Sequence, residues 1–221
     1  LGFKNNFLGN IKNINYEAKN VDLYKEETTT ELFGSVGYLS ELDLRKINGD
    51  TSYLFKPKVL FRYSPGSMRK ETDGQRLDSA NAFSLNRLSN INNNENGLSS
   101  SVGFDYKIKE ATKEFNFSVA QIISARENKK MSSRSSLDEK VSDLVGSANY
   151  LVNNRVDLKY NFAIDQNYKE LNYSEIGTIL NLDPIKADFS YLQEDKHLGD
   201  QEYFKTKLEY NKNKNSILSF E

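Results

Sequence analysis

The chain has 221 residues, 37% hydrophobic, 12% aromatic and 28% charged, with mean hydropathy −0.69, which fits a folded polypeptide and excludes helical membrane spans, since no run nears the ~18 apolar residues required. A formal net charge of −1 removes the long-range positive field of general nucleic-acid binders. With Cys 0, disulfides, thiolate nucleophiles and cysteine-type zinc sites are excluded within these residues. The single histidine, His197, sits in QEDKHLGDQE and reads as an exposed loop residue. The opening LGFKNNFLGN has no basic region followed by an apolar one, so no signal peptide is expected there, and both ends read as cuts through a longer protein.

Taken in chain order, the apolar pattern has a period of two almost throughout. A weaker strand is expected at about 4–18. Leu32, Val36, Tyr38, Leu42 and Leu44 mark the next, and Phe55, Val59, Phe61 and Tyr63 another. Val102, Phe104, Tyr106 and Ile108 alternate with Ser101, Gly103, Asp105 and Lys107, followed by Phe115, Phe117 and Val119. Weaker strands fall at about 142–152 and 171–181, where one slip of the alternation predicts a bulge. Between them stands the clearest window, RVDLKYNFAID, with Val156, Leu158, Tyr160, Phe162 and Ile164 against Arg155, Asp157, Lys159, Asn161 and Asp165. Ile185, Ala187, Phe189 and Tyr191 repeat it, as do Phe204, Thr206, Leu208 and Tyr210. No window of eleven residues supports an amphipathic helix.

The connections alternate in length. Asn48-Gly49-Asp50, Lys109–Thr112, Asn153-Asn154, Asp183-Pro184 and Lys212–Asn215 are tight; about 20–30, 64–100, 126–140, 166–170 and 193–201 are longer. An up-and-down sheet places every second connection at the same edge, so one edge carries tight turns and the other extended loops. That is the asymmetry of an outer-membrane barrel. A soluble lipocalin-like barrel or large sandwich would show the same alternation. Three features favour the membrane: about ten or eleven strands with neither end closed, 13 Tyr and 13 Phe often near strand ends, and full charges at mid-strand. Lys159, for example, facing lipid near the midplane would cost about 2–4 kcal/mol, but nothing comparable in a wet lumen.

The stretch Asp78-Ser79-Ala80-Asn81-Ala82-Phe83-Ser84-Leu85-Asn86-Arg87-Leu88-Ser89, after a strand containing Phe55-Lys56-Pro57-Lys58-Val59, resembles a loop pattern of the LPS-assembly protein family, LptD. Phe115-Asn116-Phe117-Ser118-Val119-Ala120-Gln121 and Ser142–Gly146 resemble later strands of its C-terminal barrel. Asn92–Asn96 departs from the family's Gly-Asp-Arg continuation. The resemblance implies that residues 1–221 are part of that C-terminal domain, truncated at both ends: an all-β, antiparallel up-and-down transmembrane β-barrel, present in part. It implies transport of lipopolysaccharide and its insertion into the outer leaflet of the outer membrane. The partners it implies are lipopolysaccharide, the lipoprotein LptE, the periplasmic Lpt transport bridge and outer-membrane lipids, with no cofactor and no nucleic acid. A porin-like or substrate-specific channel is the alternative.

Within that frame Arg155, Asp157, Lys159, Lys186, Lys205 and Lys207 are candidates to face the lumen. In a long extracellular loop, apolar Phe83, Leu85 and Leu88 anchor the chain while Asn81, Asn86 and Arg87 bond to the wall or to neighbouring loops. No catalytic site is expected: Ser132-Ser133-Arg134-Ser135-Ser136 reads as a flexible loop, and no G-x-S-x-G elbow occurs. Carboxylates in 126–140 and 193–201 match no defined cation site.

Overall fold

The computed structural model describes residues 2–22, 26–71, 75–196, 199–213 and 216–220; His197 and part of the Lys212–Asn215 turn lie outside the described residues. Among the described residues twelve strands form a single antiparallel sheet: β1 (Phe3–Ala18), β2 (Glu27–Leu42), β3 (Leu44–Asn48), β4 (Thr51–Ser64), β5 (Gly97–Lys109), β6 (Lys113–Ser124), β7 (Leu144–Val152), β8 (Val156–Ile164), β9 (Leu171–Leu182), β10 (Ile185–Glu194), β11 (Gln201–Asn213) and β12 (Ser216–Phe220). Hydrogen-bonded order follows chain order from β1 to β12, except that β3 pairs with β4 alone. This is the expected up-and-down arrangement. Connections 19–26, 65–96, 125–143, 165–170 and 195–200 alternate with turns at 49–50, 110–112, 153–155 and 183–184.

The count exceeds ten or eleven for a local reason. β2 pairs with β4 as far as Glu41↔Lys58, and β3 resumes at Leu44↔Phe55. Between them lies Pro57, which has no N–H to give the ladder. The pairing breaks there, and Asp43 turns to Lys56 at 3.3 Å. The predicted bulge in the third weak segment falls where Ala163↔Tyr173 gives way to Ile164↔Leu171, which skips Asn172. β1 and β7 keep their register without a slip.

By internal contacts the chain forms two compact units: Leu1–Leu42 with Lys58–Val102 and Gln121–Asp143, and Asp43–Pro57 with Gly103–Ala120 and Leu144–Glu221. In the first, Phe7↔Tyr38 continues to Phe61, and Gly9↔Val36 to Tyr63. Because paired residues share a face, these side chains make one apolar surface, with Phe7 88% and Ile11 81% exposed. The opposite face carries Ser35, Leu60, Arg62, Ser64, Ser99, Ser101 and Ile122, all buried. Connections 65–96 and 125–143 contribute Met68, Leu77, Ala82, Met131 and Leu137 to that core.

In the second unit the register draws one apolar row across six strands: Phe117, Ala148, Tyr160, Ile176, Tyr191 and Phe204. One residue along, Asn116, Asn149, Lys159, Gly177, Ser190 and Lys205 form a polar row on the other face. Phe104 bridges the apolar side, its ring 5.2 Å from Phe55 and 5.9 Å from Phe117.

Candidate functional site

In connection 65–96 the motif starts at Asp78. Its Oδ1 accepts the backbone N–H groups of Ala80 (2.8 Å) and Asn81 (2.6 Å), the local trap that short acidic side chains set in turns, and a single 3-10 turn follows at Asn81–Phe83. The Asn81 side chain accepts from Asp78 N at 3.0 Å and donates to Arg76 O at 2.9 Å. Ser101 Oγ, on β5, donates to Ala82 O at 2.6 Å, and Lys58 Nζ, on β4, stands 4.4 Å over the Phe83 ring, a cation–π contact. Leu85 rests on Gly37 of β2: a Cβ there would lie 2.5 Å from Leu85 Cδ2.

The other two motif residues, Asn86 and Arg87, both reach Glu95. Asn86 Oδ1 accepts the Glu95 N–H at 3.0 Å. Arg87 grips the Glu95 carboxylate with two N–H groups, Nε at 2.7 Å and Nη2, and Nη2 also donates to Ser99 Oγ at 2.9 Å. Arg62 of β4 donates to the carbonyls of Leu85 and Glu95, and its Nη1 lies 3.5 Å from Glu95 Oε1. Burial pushes the Glu95 carboxyl up, but the charges of Arg87 and Arg62 together with Arg87's hydrogen bonds outweigh it and hold the group below the ordinary range.

Sequence reasoning passed over most of these partners. The run Asn92–Asn96 looks like a solvated insert, yet Asn93, Asn94 and Glu95 are among the most buried polar residues. Asn94 Nδ2 donates to Ser64 Oγ at 2.9 Å, and Asn93 Nδ2 to Glu71 Oε2 and Arg69 O, both at 3.0 Å. Lys12 of β1 donates to Asn93 O at 2.9 Å. Arg69 pairs with Glu31 and packs 5.1 Å from the Tyr16 ring. The serine-rich segment is likewise built in rather than loose. Ser132 Oγ accepts from Arg134 N at 3.2 Å, Ser135 Oγ donates to Ser132 O at 2.8 Å, and Ser136 Oγ accepts from Asp143 N at 3.0 Å. The two long connections also meet each other, through Glu71 N donating to Lys130 O at 2.7 Å and Asn128 Nδ2 to Asn96 Oδ1 at 3.0 Å.

The second unit gathers five of the six charged candidates on one face: Asp157 and Lys159 of β8, Lys186 of β10, Lys205 and Lys207 of β11. Arg155 stands apart, in the β7–β8 turn, where its N–H donates to Val152 O at 2.9 Å. Lys159 lies 3.4 Å from Asp157, and Glu209 takes Lys207 at 2.7 Å and Lys186 at 3.7 Å. These pairs remain partly exposed and screened by solvent, so each adds little to stability. In the 165–170 connection Asp165 accepts the backbone N–H groups of Glu170, Lys169 and Asn167, which hold its carboxyl at a pKa of about 2.

Among the described residues no group of three or more His, Cys, Asp or Glu side chains forms a metal-ligand set. An up-and-down sheet with an apolar face, a charged face, tight turns at one edge and long connections at the other has the pattern of part of an outer-membrane β-barrel wall. The family model of LPS transport system D, LptD, matches residues 35–217, and the chain belongs to that family. Its business is lipopolysaccharide transport at the outer membrane. No curated protein matches the chain.

Proposed function

We propose that residues 1–221 are part of an LptD C-terminal barrel domain and that this wall serves the delivery of lipopolysaccharide from the periplasm and its insertion into the outer leaflet. The observation that carries the reading is the pair of adjacent rows in the second unit, Tyr160-Ile176-Tyr191-Phe204 on one face and Lys159-Gly177-Ser190-Lys205 on the other. Exposed apolar rows of this kind meet acyl chains, whereas a charged row solvates sugars and phosphates. Asp157, Lys159, Lys186, Lys205 and Lys207 then face the lumen, with Arg155 at its rim. In this reading LptE fills the lumen, and the periplasmic Lpt bridge supplies the cargo. Depleting the full-length protein is expected to stop lipopolysaccharide from reaching the cell surface; normal surface levels would overturn the transport role and leave a porin-like channel.

In the same reading Asn81, Phe83, Leu85, Asn86 and Arg87 anchor the 65–96 connection as a cover on the extracellular side. Lys58 over Phe83 and the Arg87–Glu95 grip support this role. Changing Phe83 and Arg87 together to Ala is expected to raise outer-membrane permeability to large antibiotics. Unchanged permeability with unchanged protease sensitivity of the loop would sink the anchoring role.

A further inference from the structure

The buried charges of the Arg62–Glu95–Arg87 cluster do not balance. Arg62, Arg87 and Glu95 are 2%, 3% and 5% exposed, and two guanidinium groups share one carboxylate. Among the described residues, Glu31, which pairs with Arg69, and Glu71, which accepts from Asn93, bond to neither of these arginines. Lys12 is turned to Asn93 O and supplies no counter-charge. Within the cluster one unit of positive charge is therefore left over on side chains closed from water. Among the described residues, Arg62 Nη1 and Arg87 Nη1 are buried and have no hydrogen-bond partner. Arg87 uses Nε and Nη2 on Glu95, so its Nη1 is the donor that the carboxylate does not reach. The Ser35 hydroxyl, two residues along β2 from the Gly37 that pairs with Arg62, is also buried and without a partner. A sealed cation without a counter-charge is strongly disfavoured, and buried donors of this kind are satisfied by something.

We propose that the Arg62–Glu95–Arg87 cluster binds one small monovalent anion of the halide class, taken by the Nη1 N–H groups of the two arginines, which have no hydrogen-bond partner. An excess of one charge selects a monovalent ion, because a phosphate dianion would reverse the imbalance rather than close it. Since Arg62 belongs to β4 and Arg87 and Glu95 to the connection, the ion ties the loop to the sheet. Bound there, it stabilises the closed loop by mass action.

The test uses the full-length protein in detergent micelles and limited proteolysis of the 65–96 connection in sodium chloride, bromide or gluconate at equal ionic strength. Cleavage is expected to be about tenfold slower in either halide than in gluconate when the halide stands at about ten times its Kd. Arg87→Met leaves Arg62 and Glu95 as a balanced pair and is expected to lose the halide dependence, whereas Glu95→Gln raises the excess and steepens it. Equal cleavage of the wild type in all three salts, or an unchanged halide effect in Arg87→Met, would overturn the proposal. So that the test stands if the variants fail to assemble, a bromide-soaked wild-type crystal is read at the bromine absorption edge. A peak within hydrogen-bond reach of Arg87 Nη1 supports the site, and its absence there overturns it.

Discussion

The two units build the same kind of surface and finish it differently. Both alternate apolar and polar residues along their strands, and both expose the apolar set. On the polar side of the first unit, Arg62, Ser64, Ser99 and Ser101 are covered by the chain's own connections and bonded to them. On the polar side of the second, Lys159, Lys186 and Lys207 stay partly exposed and pair with a carboxylate two positions along the strand or directly across from it. A polar row can thus be completed by the protein or left to solvent. The first choice makes each contact expensive to break, because the partner left behind is buried.

That contrast predicts a graded response to substitution. Glu95→Ala removes the carboxylate shared by two buried arginines and is expected to destabilise the first unit by about 3–5 kcal/mol, the cost of breaking a buried ion pair, read as the thermal unfolding midpoint of the full-length protein. A loss below 1 kcal/mol would show that the cluster is wet. Ile176→Lys puts a charge at mid-strand on the exposed apolar face and is expected to cost about 2–4 kcal/mol if that face meets lipid. Ser190→Lys, on the polar row, is its control and is expected to be near neutral; equal effects of the two would dissolve the distinction between the faces. Gly37→Ala forces Leu85 Cδ2, Leu60 Cδ1 and Phe61 O to give way, an overpacking of about 1–3 kcal/mol, whereas Gly9→Ala meets nothing within 4 Å and should leave loop proteolysis unchanged.

The smallest effect is confined to one turn. Asp165 has its pKa lowered from 3.8 to about 2 by backbone N–H groups, so its contribution is complete above the unfolded value and is lost as pH falls through the folded one. Hydrogen exchange at the Lys169 and Glu170 amides, corrected for the intrinsic rate, is expected to show constant protection above pH 5 and a loss between about pH 4 and pH 2. Asp165→Asn should flatten that profile, and an unchanged profile in the variant would assign the loss to another group.

The strands were legible because one physical contrast acts on every second residue. Val156, Leu158, Tyr160, Phe162 and Ile164 have no reason to alternate with Asp157, Lys159 and Asn161 unless the two faces meet different media, and register then carries the pattern from strand to strand. The motif Asn81–Arg87 stood out in the sequence because Phe83, Leu85 and Arg87 are costly in a free loop, and each of the three has a partner in the structure. Glu95 and Asn93 were not, since their burial depends on partners far away in sequence: Arg62 for one, Arg69 and Glu71 for the other. A run of asparagines has the composition of a solvated turn, and only tertiary pairing tells the two apart. Arg155 was misplaced by one position, since it closes the turn after Asn153 and Asn154, which hold φ of 50° and 53°. Ser132–Ser136 misled for a related reason, because hydroxyls that satisfy nearby backbone read the same as hydroxyls that face water.

The fastening also bears on the order in which the chain assembles. Asn86 and Arg87 reach Glu95 across nine and eight residues, whereas Arg62 reaches it across thirty-three. Closing the shorter loops costs about 1 kcal/mol less chain entropy than closing the longer one. The local clasp therefore forms at lower entropic cost than the tie to β4, and the connection can arrive at the sheet already folded. Assembly of the covered face then becomes the docking of a prepared piece, with Arg62 as the last hand to close on it.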